Sequence, residues 1–264
     1  MQPFFDVAGA GPDLLLLHGW ASSRHLWKRL IPTLAASFRC WSIDLPGFGS
    51  APDLGPRAID AEAYSLWLNE FCDAHGIGAC GLVGHSMGGA LTLRFAADQP
   101  ERVRAFAAIN PVVTGRVILR LLNRLPARSR WMGWSQELSQ TVLGPLLAQP
   151  ALDQIRELIW PVQRRIDDFN QASGPALLHT WDLLAGFDVR PRLATVTAPG
   201  LIVVGSLDLN VPNSEGMSAV AALPNARLVR FVAGHTITDT KPHAVAELLR
   251  SFFQHTLPTK ESAL

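Results

Sequence analysis

Short apolar runs alternate with stretches of helical period along the 264-residue chain, a pattern that calls for a mostly parallel sheet covered by helices on both faces, an α/β fold. The first clear strand is predicted from Leu14 to Leu17, ending at His18-Gly19-Trp20. A second runs from Arg39 to Ile43 and stops at Asp44-Leu45-Pro46-Gly47-Phe48-Gly49, where proline and glycines break the extended chain. From Ala61 to His75, Ala63, Leu66, Trp67 and Phe71 recur at helical spacing. A strand over Ala79 to Val83, a helix from Met87 to Asp98 ended by Pro100, and a strand from Ala105 to Ile109 follow. The pattern then changes. From Asn110 to about Gly186 no strand is predicted, only helical segments rich in Leu, Arg and Trp and broken by Pro126, Pro145, Pro150, Pro161 and Pro175. This reads as a helical lid, 111–186, inserted between core segments 1–110 and 187–264. Strands resume at Gly200 to Val204 and Arg227 to Val232, and a helix from Pro242 to His255 closes the chain.

Composition narrows the function classes. Apolar residues make up 48% and charged residues 17%, which excludes a disordered or coiled-coil chain. With 23 Lys+Arg against 22 Asp+Glu the formal charge is +1, so no basic footprint for nucleic acid exists. No run approaches the ~20 apolar residues needed to span a bilayer, and no secretory leader is recognisable. The three cysteines, Cys40, Cys72 and Cys80, have no metal-ligand spacing and read as small buried hydrophobes. A soluble cytoplasmic protein, monomeric or weakly dimeric, needing neither metal nor cofactor, is the expectation.

The chemistry concentrates at Gly84-His85-Ser86-Met87-Gly88, after a strand and before a helix, the context of a G-x-S-x-G nucleophile elbow. A sharp strand-to-helix turn strains the central residue and brings neighbouring backbone so close that side chains at Gly84 and Gly88 would clash. The turn lifts the Ser86 hydroxyl clear of the sheet. A serine hydroxyl needs a general base, and the base needs a partner that fixes its tautomer. Of eight histidines, His235 is best placed, in a loop after a late strand and ahead of the last helix. Asp208 follows the strand Leu201 to Val204 and would reach the same sheet edge, giving the order Ser, Asp, His. Asp44 heads a Pro-Gly turn and is expected to brace that loop.

His18-Gly19-Trp20, Asp44 to Gly49, the elbow, Pro100-Glu101-Arg102-Val103, Asp208 and Gly234-His235 together resemble the α/β-hydrolase superfamily over nearly the whole chain outside the lid. The chain is most similar to carboxylesterases of the pimeloyl-[acyl-carrier protein] methyl ester esterase type, although His85 and Met87 stand where that group carries Trp and Leu. The resemblance implies the α/β-hydrolase fold and catalytic residues Ser86, Asp208 and His235. It also implies an oxyanion hole made by the backbone N–H groups of Trp20 and Met87. The expected substrate is a small or medium acyl ester; a lactone, a thioester or a C–C bond could be cleaved by the same triad, and a ligand-binding receptor could retain it without turnover. Trp20 and His85 are candidates for the substrate pocket, as are the lid residues Trp131, Trp134 and Trp160, whose rings either line a cleft or fasten the lid to the core. Arg116, Arg120, Arg124 and Arg128 recur every four residues with no acid between them. They form either a solvated face or a basic ridge that docks an acidic acyl-carrier protein.

Overall fold

The computed structural model describes residues 3–55, 60–116, 128–149, 152 and 156–257, with the backbone alone for 128–132 and 156–158. Seven strands, β1 (Phe5–Ala8), β2 (Asp13–Leu17), β3 (Arg39–Ile43), β4 (Cys80–His85), β5 (Val103–Ile109), β6 (Gly200–Gly205) and β7 (Ala226–Phe231), form one sheet in the order β1-β3-β2-β4-β5-β6-β7. Only β1 is antiparallel to its neighbour; the other five pairings are parallel. All the parallel strands therefore deliver their following loops to one edge, where α/β sheets place their ligands.

Strand β2 shows how the sequence builds the two layers. Leu14, Leu15, Leu16 and Leu17 are all fully buried because successive side chains point to opposite faces and both faces are covered. Leu15 and Leu17 join a cluster with Tyr64, Leu68 and Phe71 of α1 (Ala61–Ala74) and Ala90 and Leu93 of α2 (Met87–Asp98). Leu14 and Leu16 pack with Trp27, Leu30 and Phe253 on the other face. Asp60 caps α1, its side chain accepting the Ala63 amide.

Between β5 and β6 the described residues contain no strand. They include α3 (Arg128–Leu138), a wider π turn over Ser139–Leu143, α4 (Arg156–Gln171) and α5 (Gly174–Gly186). After β6 come α6 (Asn213–Ala222) and, beyond β7, α7 (Pro242–Thr256). The α/β-hydrolase expectation holds, with predicted strand and helix ends within about two residues of those observed. Two elements were not expected. Strand β1 is a short edge strand with no fully buried residue, and α6 is rich in small residues around Gly216. Buried Glu215 on α6 accepts the Val113 and Thr114 amides at 2.7 and 2.6 Å, tying the chain after β5 to the core.

Candidate active site

The turn from β4 into α2 is as tight as its glycines require. Ser86 has φ 54° and ψ −111°, a region L residues occupy only under constraint, at a cost of about 1–3 kcal/mol. A Cβ on Gly84 would lie 2.0 Å from the Gly88 carbonyl oxygen, and one on Gly88 would lie 2.3 Å from that of Leu17. No side chain larger than hydrogen fits either position without moving backbone. Met87 opens α2, so its N–H is among the unpaired donors at a helix N-terminus.

The sheet edge brings Ser86, His235 and Asp208 together from three separate loops. His235 Nε2 lies 3.0 Å from Ser86 Oγ, and Nδ1 lies 2.7 Å from Asp208 Oδ2. A carboxylate can only accept, so Nδ1 carries the ring proton and Nε2 turns its lone pair toward the hydroxyl. Asp208 Oδ1 accepts the amides of Asn210 and Val211 at 2.8 and 2.9 Å. Burial pushes the Asp208 carboxyl up, but the hydrogen bond and charge of His235 together with these two amides outweigh it and hold it below the ordinary aspartate value. The carboxylate is thus ionised near neutral pH.

Asn110, at the end of β5, holds the histidine loop and was not among the expected site residues. Its Nδ2 donates to the His235 carbonyl at 2.8 Å, and its Oδ1 accepts the Gly205 amide at 2.8 Å. An amide cannot serve as the acid, but it joins the ends of β5 and β6 to the loop after β7. His85 Nε2 donates to the same carbonyl at 2.9 Å. Burial first, then the neighbouring His235, lowers the His85 value to about 3, so this ring stays neutral. Among the described residues, three non-glycine positions have positive φ: Ala21 (51°), Ser86 and Asn110 (44°). All three belong to this edge, so backbone strain gathers where Ser86, His235 and Asp208 meet.

The loop after β2 approaches from the other side. A Cβ on Gly19 would sit 3.0 Å from His85 Nδ1 and 3.2 Å from Ser86 Cβ, so glycine allows the Trp20 backbone to come close to the serine. His18 fixes this loop: its Nδ1 donates to the Gly19 carbonyl at 2.7 Å, and its Nε2 accepts the Leu45 amide at 2.9 Å. Burial lowers the His18 value despite nearby Asp44, which keeps the ring neutral and suited to this pairing. Asp44 itself is fully buried and accepts the amides of Arg24 and Ser50 as well as the Arg24 guanidinium, a brace for its loop.

A cavity of about 310 Å³ opens above Ser86, between these loops and helices α4 and α5. Trp20, Ser86, His85 and His235 form its floor, and Phe169, Trp181 and Leu184 form much of its apolar roof. Trp20 Nε1 donates to the Leu177 carbonyl at 3.1 Å, and its ring meets Trp181 edge-on at 5.1 Å. The other tryptophan candidates lie elsewhere. Trp134 is 59% exposed and outside the cavity lining. Trp160 is also outside it, with the cations of Arg29, Lys28 and Arg164 at 4.9, 5.5 and 5.6 Å from its ring. The side chain of Trp131 lies outside the described residues, as do Arg120, Arg124 and the side chain of Arg128; Arg116 is exposed. Trp181 and Phe169 carry no sequence signal separating them from other apolar helix residues. Among the described residues, the cavity is lined by Arg164 and Arg165 and by no carboxylate.

A family model described as the alpha/beta hydrolase fold matches residues 12–242. A pimeloyl-[acyl-carrier protein] methyl ester esterase of Aeromonas hydrophila is 31% identical over 257 residues, covering 92% of this chain and 96% of the relative. One from Xanthomonas campestris is 31% identical over 256 residues, covering 94% and 97%. Among solved structures, a hydrolase from Pseudomonas aeruginosa superposes with a TM-score of 0.79 at 24% identity, over 95% of this chain and 93% of the other. An enol-lactonase from Burkholderia xenovorans superposes with a TM-score of 0.74 at 19% identity, over 94% and 95%. At these identities the structural likeness concerns the fold.

Proposed function

From the premise that this chain belongs to the alpha/beta hydrolase fold family, we propose that it is a serine carboxylic-ester hydrolase acting through an acyl-enzyme. The observation that carries the reading is the unbroken line from Asp208 through His235 to Ser86, with bonds of 2.7 and 3.0 Å. In the proposed cycle His235 Nε2 takes the Ser86 proton as Oγ attacks the ester carbonyl. The backbone N–H groups of Trp20 and Met87 receive the oxyanion, each such donor being worth roughly 3 kcal/mol. The tetrahedral species collapses to an acyl-enzyme as His235 protonates the leaving alcohol. Water, deprotonated by the same ring, then releases the acid. Asp208 keeps the imidazole in the required tautomer and balances its charge when protonated.

We assign segment 111–186 to a lid over the cavity and the largely apolar roof to acyl-chain recognition. A chamber of about 310 Å³ suits a small or medium acyl group. The methyl esterase relatives, whose names specify an acyl-carrier substrate, favour a carrier-linked methyl ester with the arginine series from Arg116 to Arg128 as the docking ridge. The three free buried cysteines suit a reducing cytoplasm. No helix among the described residues is long and apolar enough to cross a membrane. The test is a panel of methyl, p-nitrophenyl, thio- and lactone esters assayed with the parent protein and Ser86→Ala. Ester turnover by the parent, lost in the variant, is expected. Equal turnover by both would refute the assignment. For docking, turnover of a carrier-linked ester should fall with salt more steeply than that of a small ester.

A further inference from the structure

We propose that Arg164 is a positioning residue. From helix α4 it clamps the loop after β2 to the loop after β7, so that the oxyanion donor and the base are in register only while α4 is docked. The proposal rests on the serine-hydrolase reading above, and one arm of its test does not. Trp160, Arg164 and Asp168 are spaced by four residues and share one face of α4. Arg164 and Asp168 are 5% and 2% exposed. Arg164 Nη1 donates to Asp168 Oδ2 at 2.7 Å and to Ser22 Oγ at 3.1 Å, and its Nη2 donates to Asp239 Oδ2 at 2.9 Å. Asp168 also accepts the hydroxyls of Ser22 and Ser23. Ser22 and Ser23 lie two and three residues after Trp20, and Asp239 lies four after His235. One guanidinium therefore touches both chain segments that complete the site, and its ring neighbour Trp160 is held to the core by Lys28 and Arg29.

Stability alone does not account for this cluster. Removing a guanidinium and two carboxylates from water is costly, and an apolar contact of similar volume commonly holds elements together as well or better. Two polar atoms in it, Arg164 Nε and Asp239 Oδ1, have no hydrogen-bond partner among the described residues. What the cluster adds over apolar packing is direction: a planar fork bonds at fixed angles to two loops at once, which a lysine cannot reproduce. Serine hydrolysis is sensitive to this, since a displacement of about 1 Å among reacting groups costs on the order of 10²-fold in rate.

The experiment compares Arg164→Met, Arg164→Lys and the double variant Ser22→Ala/Ser23→Ala with the parent. Amide hydrogen exchange is read for segments 19–23 and 235–240, with β2 and β5 as internal references. Faster exchange in both loops, with the reference strands unchanged, is expected for Arg164→Met; exchange unchanged in either loop overturns the clamp whether or not the protein hydrolyses esters. In the kinetic arm, kcat for a short neutral ester should fall on the order of 10²-fold with KM within about threefold, and Arg164→Lys should not restore it. An Arg164→Met protein with parental kcat contradicts the proposal. Should Arg164→Met not fold, the double variant decides, since it removes the β2-loop end, together with the Ser23 cap on the His25 amide, and keeps the Asp239 end: about tenfold lower kcat with faster exchange in segment 235–240 as well as 19–23 supports the clamp, and parental kcat refutes it. A parent inert toward every ester and toward fluorophosphonate would defeat the serine-hydrolase reading instead, and the exchange arm would still judge the clamp.

Discussion

The floor and the roof of the cavity are held by different physics. The floor is made of loops leaving β2, β4, β5, β6 and β7, and backbone contacts too close for a side chain fix it. Gly84, Gly88 and Gly205 each sit where a Cβ would fall within 2.5 Å of a carbonyl oxygen. The roof, α4 and α5, meets the floor through side chains: Trp181 on Trp20, the Trp20 indole N–H on Leu177, and the Arg164 cluster. Backbone sterics leave no room for substitution, whereas side-chain contacts can be exchanged one at a time. On the proposed reading, reaction chemistry belongs to the floor, which can scarcely vary, and substrate choice to the roof outside the Arg164 clamp, which can.

Changes in the floor should break activity outright. Ser86→Ala should lower kcat by several orders of magnitude, of the order of 10⁶ as for other catalytic serines, without lowering Tm, as steady-state assays and calorimetry would show. Gly88→Ala forces a Cβ into the Leu17 carbonyl and should cost about 3 kcal/mol, seen as a fall in Tm of several degrees with loss of activity. An intermediate effect is expected for Asn110→Ala, which leaves the Gly205 amide without its partner and loosens the His235 loop. Its kcat/KM should drop about 10- to 100-fold, from a loss of about 1–3 kcal/mol per buried group.

Outside the Arg164 clamp, the roof should yield smaller and more selective effects. Trp181→Ala should raise KM for medium-chain esters several-fold and leave kcat within about threefold, because it removes binding shared by ground and transition states. If kcat fell as far as in Asn110→Ala, the division between floor and roof would be wrong. The pH profile probes the floor most gently. His85 is held down to about 3 and Asp208 below the ordinary carboxylate value, so neither changes charge above about pH 5. A step in kcat/KM above about pH 5 that disappears in His85→Gln would contradict this. The stability that Asp208 contributes is complete above about pH 4, the ordinary aspartate value, and is lost as pH falls through its lower folded value.

How much of this is legible in the sequence follows the same division. Arg39–Ile43 and Met87–Asp98 coincide with their predicted bounds, because continuous burial of a parallel strand and a glycine-rich turn leave strong local signals. Ser86, Asp208 and His235 were legible as the ends of such elements, and the loops they occupy do meet. Strand β1 was not, since Phe5–Ala8 pairs at an edge and places Asp6 toward Arg24 instead of extending an apolar run. Asn110 reads in sequence only as the residue that follows a strand; its use in holding the His235 carbonyl depends on where three strands end in space. The roof residues were the least legible. Trp160 and Trp181 look alike along the chain, yet one, on α4, sits among cations on the core and the other, on α5, lines the cavity, a distinction made by how each helix packs. Packing of α4 also buries Arg164 and Asp168, which as an i, i+4 pair resemble any solvated helix surface.

The most direct test of the central claim is intact-mass and peptide analysis of the protein after brief exposure to a fluorophosphonate near neutral pH. A single adduct on Ser86, formed rapidly by the parent and slowed by several orders of magnitude in His235→Ala, is the predicted result. No adduct, or an adduct formed as quickly without the imidazole, would contradict it.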